Sequence, residues 1–522
     1  MVFVSRTKFR ATVNTTVELW KSNPEAGPNG FRSLWQASLL KCHCRASAMR
    51  MAETFGLPVR FYCLSKAPTL RRTSDSHPAK HLRLVLRSIA SGTRGTPCLE
   101  SMREQEQPRR GWFQAFQFEY CVSIRSMTQV GILRSSWLFL SLLLLLSRAA
   151  SPQQPWSTRL ADSAMARWPD GHMTRGQEKL SDWAYDKSVL LAGLMELSEA
   201  TTDQKYLDYA RRSMDALVTS QGQIPTYKAV EVSLDEIAMG RVLLLLYAHD
   251  HDEKYSRAAH ILRHQLDIQP RTPSAGFWHK KRYPNQMWLD GLYMAEPFYA
   301  QHASMFHEQK AFDDIAHQFL LVDEHARDRK TGLLYHAWDE SKEAAWADKR
   351  TGTSPQFWAR AMGWYLMALV DTIPYFPENH PQRAELVTIL RRTASAIVSV
   401  QDPDSGLWYE VLDKPHAPGN YFESSAACMF AYALAKGVHL AYLDSKYQRN
   451  AQRAYKGIVD HFVRQDAQGR WTLIDTVYSA GLGGTPDRDG SYQYYVHERI
   501  GPDDPKAIGA FLLASSAMER NR

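Results

Sequence analysis

The sequence predicts an all-α protein, an (α/α)6 barrel in which six helical hairpins close into a ring and short strands are confined to the loops. Three observations predict it. From residue 156 onward apolar residues recur with a period near 3.6, the spacing of one helix face. The helices marked in this way alternate between two classes. A glycine–aromatic signature also returns at intervals of 56, 74 and 63 residues, as expected for a repeated supersecondary unit.

The period marks twelve helices, over about 157–168, 181–199, 203–219, 232–248, 254–268, 286–305, 309–327, 357–375, 382–401, 422–442, 446–465 and 505–520. One class is apolar on every side and rich in small residues, as in Val242–Tyr247 (VLLLLY) and Ser424–Ala435 (SSAACMFAYALA). The other opens with an aromatic and carries charge on one face: YLDYARRSMDAL from Tyr206, YSRAAHILRHQL from Tyr255, FDDIAHQFLLVD from Phe312. A helix apolar all round must be buried, whereas a one-faced helix covers a surface. The alternation therefore describes an inner ring wrapped by an outer one. The signature reads Gly276-Phe-Trp-His279, Gly332-Leu-Leu-Tyr-His336, Gly406-Leu-Trp-Tyr-Glu410 and Gly469-Arg-Trp-Thr472, one joint in successive hairpins. An open solenoid of the tetratricopeptide kind repeats regularly at about 34 residues. The longer, irregular spacing and the aromatic joints favour a closed ring with a site at one mouth.

Charge and cysteine divide the 522 residues unevenly. Residues 1–126 hold 20 Lys and Arg against 8 Asp and Glu, and five of the six cysteines; 151–522 carries 41 basic and 47 acidic residues and only Cys428. The overall charge of +8 thus comes from the front of the chain. The mildly acidic remainder has no basic stripe, which excludes a nucleic-acid reading based on charge. Between the halves, Met127 opens MTQVGILRSSWLFLSLLLLLSRAAS, in which Arg134 precedes an apolar run and Ala149 and Ala150 follow it. That order is expected of a secretory signal peptide over 127–150, cleaved near Ala149. The run falls short of the about 20 residues that span a bilayer. The mature domain is then 151–522, secreted or periplasmic, with no membrane segment, and 1–126 is expected to be a mis-assigned extension that begins before the true start.

Two carboxylates carry the chemistry. Asp290 stands among Trp288, Leu289, Leu292 and Tyr293, and aspartate rarely enters such company without a partner or a task. An apolar setting favours the protonated form of a carboxyl, as a general acid requires. Asp235 lies in Val232-Ser-Leu-Asp235-Glu, where Ser233 and Glu236 have the spacing of a capping box and an acid in the first turn suits the helix dipole. Taken alone it reads as structural. Parallel inner helices would nevertheless bring both first turns to one mouth, where an ionised Asp235 favours a protonated Asp290. His279 and His336 occupy matching joints beside Trp278 and Tyr335. Arg360, near a helix start between Trp358 and Trp364, opposes the dipole and asks for an anionic partner, and the aromatic faces could carry a sugar ring. Trp364 can equally be core. Beyond 150 there is no His-Glu-x-x-His, cysteine pair or phosphate loop, and Cys428 sits in an apolar helix. His249-Asp-His-Asp252 has ligand-type residues but falls in a polar link. No metal or cofactor is expected.

These residues resemble the unsaturated rhamnogalacturonyl hydrolases, glycoside hydrolase family 105, allied to the unsaturated glucuronyl hydrolases. The resemblance covers about 160–520. It rests on Met287-Trp-Leu-Asp290-Gly-Leu-Tyr-Met294, Arg360-Ala-Met-Gly-Trp364, and Arg488-Asp-Gly-Ser-Tyr-Gln-Tyr-Tyr495 leading into Lys506-Ala-Ile-Gly-Ala-Phe-Leu-Leu-Ala514, with the Asp235-to-Asp290 interval similar to the family's. His497-Glu-Arg499 and Asp503-Asp504-Pro505 depart from the pattern and bear on subsite preference. The resemblance implies an (α/α)6 barrel that hydrates the C4=C5 bond left by polysaccharide lyases. Asp290 would protonate C4, Asp235 would hold ring hydroxyls, and His279, Trp288, His336, Trp358, Arg360 and Trp364 would contact the sugar. It implies an unsaturated uronyl oligosaccharide from pectin as partner. Rival readings are a glucuronyl hydrolase acting on ulvan or glycosaminoglycan fragments, a non-catalytic carbohydrate-binding scaffold, and an epimerase or lyase, which would need a basic group where acids stand.

Overall fold

A computed structural model describes residues 154–485 and 487–519. The expected extension over 1–126 and signal segment over 127–150 lie outside the described residues. All twelve expected helices are present. Inner helices α2 (Tyr185–Thr201), α5 (Met239–Asp250), α7 (Leu289–Met305), α9 (Ala359–Thr372), α11 (Ser424–His439) and α14 (Pro505–Glu519) touch in that order, and α14 returns to α2. The ring is closed. Outside it, α3 (Gln204–Asp215), α6 (Glu253–Ile268), α8 (Ala311–Ala326), α10 (Arg383–Ser399) and α12 (Tyr447–Phe462) back α2, α5, α7, α9 and α11. The outer helix α1 (Trp156–Arg167) backs α14, so the two ends of the described chain complete the sixth hairpin. This is an (α/α)6 barrel.

The two helix classes take the places their composition dictates. Every residue of α9 is buried, and so is α11 from Ser424 to Ala435. In α12 burial is confined to one stripe that includes Tyr447, Ala451, Ala454, Ile458 and Phe462, the amphipathic pattern of a covering helix. Cys428 is a free thiol in the core. Among the described residues no helix is long and apolar enough to cross a membrane.

Two expectations need correction. The helix expected over 232–248 is two: α4 (Leu234–Ile237) ends at Ala238 and α5 begins at Met239. The carbonyl of Ala238 accepts from Ser188 Oγ (2.7 Å) and that of Glu236 from Trp183 Nε1 (3.0 Å). Side chains inserted into the ladder in this way interrupt a helix. The capping box at Ser233 also does not form: its side chain caps nothing, and the Glu236 carboxylate takes a backbone N–H of Lys228 instead. A short helix, α13 (Tyr492–His497), lies in the last connection and has no counterpart among the expected elements.

Among the described residues, eight short strands form four two-stranded ladders in the connections. One matters for the site. β3 (Gln286–Trp288) pairs antiparallel with β4 (Ala337–Asp339), with Trp288 opposite Ala337. That register sets the start of α7 beside the residue before β4, His336.

Candidate active site

A single backbone device builds the mouth of the ring. The first N–H groups of a helix have no partner within it. Here they bond to the next joint: Leu234 N–H to the His279 carbonyl (3.1 Å), Leu289 N–H to His336 (3.0 Å), Ala359 N–H to Glu410 (2.9 Å) and Ser424 N–H to Asp475 (3.2 Å). The starts of α4, α7, α9 and α11 thus each sit against the joint that follows the next outer helix. Asp235, Asp290 and Arg360 all fall in first turns, so the mouth collects them, and the joint residues stand between.

Asp290 and Asp235 each face a histidine. Asp290 Oδ2 lies 3.2 Å from His336 Nε2, and neither atom makes a directed hydrogen bond within the described protein. The other nitrogen of His336 meets the Tyr495 hydroxyl at 2.7 Å. Asp235 Oδ1 lies 3.4 Å from His279 Nε2, and Oδ2 pairs with the Lys280 ammonium. Rings connect the two pairs. Tyr283 stacks on Trp288 (4.7 Å), Trp288 on His279 (4.7 Å), and the edge of Trp288 meets His336 (5.2 Å). His336 packs on Trp358 (4.6 Å), whose Nε1–H donates to Glu410 Oε1 (2.7 Å).

Arg360 and Trp364 lie deeper. Arg360 is 1 % exposed; it sits over the Trp358 ring, bonds to Ser425 Oγ (3.2 Å) and the Val477 carbonyl, and comes within 4.0 Å of Glu423. The anionic neighbour that its position asked for is therefore supplied by the chain itself. Trp364 stacks on Tyr293 (4.8 Å) with its other neighbour Tyr185 edge-on (6.1 Å), in the core.

Electrostatics separate the acids. Burial alone would raise the Asp235 carboxyl, but Lys280, with His279 and Arg282, outweighs it and holds Asp235 below the usual carboxylate range. It is an anion at neutral pH. Burial pushes His279 down to about 4, with Asp235 opposing, so this imidazole is neutral. Burial, and then Glu423, lift Glu410 well above its ordinary value. Arg360 is held cationic: burial works against the charge, and Glu423 and Asp504 more than restore it. The Asp290 side chain keeps 14 % of its surface open, so it can meet a ligand.

Lys280, Tyr283, Tyr495, Glu410 and Glu423 belong to this constellation and were not among the expected site residues. Glu410 carried a signal, since it occupies the joint position of His279 and His336 in the glycine repeat. The polar link at His249–Asp252 is used structurally: Asp250 pairs with Arg211, and Asp252 caps α6 through Lys254 N–H. Among the described residues no group of three His, Cys, Asp or Glu could hold a metal ion.

Residues 156–522 match the family model Glycosyl Hydrolase Family 88. The chain belongs to that family. It is a glycoside hydrolase. It is 28 % identical over 324 residues to the unsaturated rhamnogalacturonyl hydrolase YesR of Bacillus subtilis, covering 61 % of this chain and 85 % of that protein. A solved glycoside hydrolase from family 105 of C. acetobutylicum is 44 % identical, with a TM-score of 0.67 over 70 % of this chain and all of that one. The unsaturated glucuronyl hydrolase of Bacillus sp. GL1, 14 % identical with a TM-score of 0.54 over 70 % of this chain and 95 % of its own, shares the fold. The resemblance carried by the Asp290 and Arg360 motifs is thus borne out at family level.

Proposed function

We propose that this family 88 enzyme hydrolyses unsaturated uronyl oligosaccharides, with rhamnose-linked fragments of lyase-cut pectin as substrate. The observation that carries the reading is Asp290 itself, one partly open carboxyl at the mouth, with an oxygen in no directed hydrogen bond and an ionised Asp235 held nearby by Lys280 and His279. Asp290, as the acid, gives its proton to C4 while the C4=C5 electron pair takes it up. Water adds to C5 and returns its proton to the Asp290 carboxylate. The C5 hemiketal opens to a ketone, C1 becomes a hemiacetal, and its collapse releases the neighbouring sugar. This route displaces nothing at C1 directly, unlike the paired-carboxylate glycosidases. Asp235, anionic, accepts from ring hydroxyls. Trp288 and His279 offer faces and edges to the ring, and Trp358, Arg360 and Trp364 fix that wall from behind. Export through the 127–150 segment belongs to the same proposal; a mature N-terminus near residue 151 checks it.

The experiment follows loss of ultraviolet absorbance from the conjugated uronate on a panel of lyase-generated oligosaccharides. Turnover of a rhamnose-linked unsaturated disaccharide, lost in a folded Asp290→Asn variant, supports the reading. Preference for glucuronyl fragments of ulvan or glycosaminoglycan moves the substrate and keeps the chemistry. No absorbance change on any unsaturated uronide overturns both.

A further inference from the structure

The two nitrogens of His279 serve different neighbours. Nε2 faces Asp235, whereas Nδ1 is buried without a protein partner and presses on Gly291, where an added Cβ would meet it at 3.1 Å. His279 and Gly291 line a cavity of ≈ 10 Å³ together with Leu292, Glu296 and Gln318, and every residue lining it is buried. Glu296 Oε2, on α7, is a second buried atom without a protein partner. Two residues that line one small cavity thus each carry an orphaned buried polar atom, and such atoms ask for a bridge. The volume is about that of one water probe, and a buried water needs two to four polar partners.

The polar groups offer one consistent set of hydrogen bonds. Burial, reinforced by Asp314, holds the Glu296 carboxyl well above the usual range, so it keeps a proton to donate. His279 is neutral and Asp235 ionised, so the single ring proton belongs on Nε2 beside the carboxylate and Nδ1 is an acceptor. Gln318 Oε1 accepts from Phe277 N–H (2.8 Å) and retains a second lone pair, while its amide N–H groups are taken by the Ala275 carbonyl and Asp314.

We propose that one water molecule bound in this cavity accepts from the Glu296 carboxylic acid and donates to His279 Nδ1 and Gln318 Oε1, locking His279 in the Nε2–H form that steadies Asp235. Glu296 is then a positioning residue that acts on the reaction through His279. Only its effect on turnover rests on the proposed function; the tautomer does not.

The test labels the histidines with ¹⁵N in the full chain and reads the His279 ring without substrate, beside the variants Glu296→Gln and Glu296→Met. The expected wild-type ring is protonated at Nε2 and bare at Nδ1. Glu296→Gln, which keeps a neutral donor, preserves that form. Glu296→Met mixes the two tautomers and lowers kcat about tenfold with KM within about twofold, the size of one buried hydrogen bond. Infrared spectra show a neutral carboxylic acid band in wild type that Glu296→Gln removes. Protonation at Nδ1 in wild type, an ionised Glu296, or equal damage from both variants overturns the relay. Wild-type inactivity on unsaturated uronides, with the expected tautomer intact, strikes the functional reading alone.

Discussion

At the scale of single residues the site works by keeping one carboxylate charged. Asp235 is half-buried, and desolvation by itself would raise its carboxyl; the Lys280 ammonium reverses that. Lys280→Met is therefore expected to raise the Asp235 carboxyl, because burial is then opposed by fewer positive neighbours. The acid limb of the rate–pH profile then moves up, whereas Lys280→Arg leaves it near its place. A profile unmoved by Lys280→Met sinks this account. Tyr495 acts on the other acid. Tyr495→Phe deletes the hydroxyl 2.7 Å from His336 Nδ1 and strands that buried nitrogen. The expected cost is about 1–3 kcal/mol of stability in denaturant melts, with reduced kcat as His336 loses its orientation against Asp290. Unchanged melts and kcat would show that the hydroxyl holds nothing. His279 and His336 were legible in the sequence because they ride the glycine repeat. Glu410 rides it too, but a glutamate at a joint reads as solvated charge until burial is known. Lys280 and Tyr495 lie on no period, and only the fold brings them to Asp235 and His336.

At the scale of elements, composition sorted inner from outer helices and period located all twelve. The break at Ala238 escaped because its causes, Ser188 and Trp183, lie 50 and 53 residues from the carbonyls they bond. No local pattern records such a donor. Close helix contact is likewise invisible in a single helix. The α2–α14 seam that closes the ring is a glycine pair: a Cβ at Gly193 would lie 2.8 Å from the Gly509 carbonyl oxygen, and one at Gly509 would lie 2.4 Å from the Val189 carbonyl group. The obstacles are backbone, so they cannot rotate away. Gly509→Ala is expected to destabilise the protein by about 1–3 kcal/mol, the usual range for overpacking, read as a lower midpoint of thermal unfolding. A midpoint equal to wild type would mean the seam has slack that the structure denies.

At the scale of the whole molecule, burial of titratable groups pulls stability in two directions as pH changes. His279 and His302, pushed down by burial to about 4 and about 3, stay neutral when folded but take protons near 6.5 when unfolded. Their contribution is fully present above 6.5 and is lost as pH falls through the folded values. Glu296 and Glu410 have the opposite sign. Burial raises both, so the folded state holds their protons above the ordinary glutamate value, and stability declines as pH rises from about 4.5. Between about 4.5 and 6.5 the two sets oppose each other, which flattens the wild-type curve. Glu296→Gln exposes the balance, because the amide keeps the shape and cannot ionise. Relative to wild type, the variant should gain about 1.4 kcal/mol per pH unit as pH rises through that window, the slope of one proton held by the folded state alone. Chemical denaturation of both proteins at pH 4.5, 5.5 and 6.5 measures it. Parallel curves would mean that Glu296 ionises in the fold as it does in water, so that no neutral acid stands behind His279.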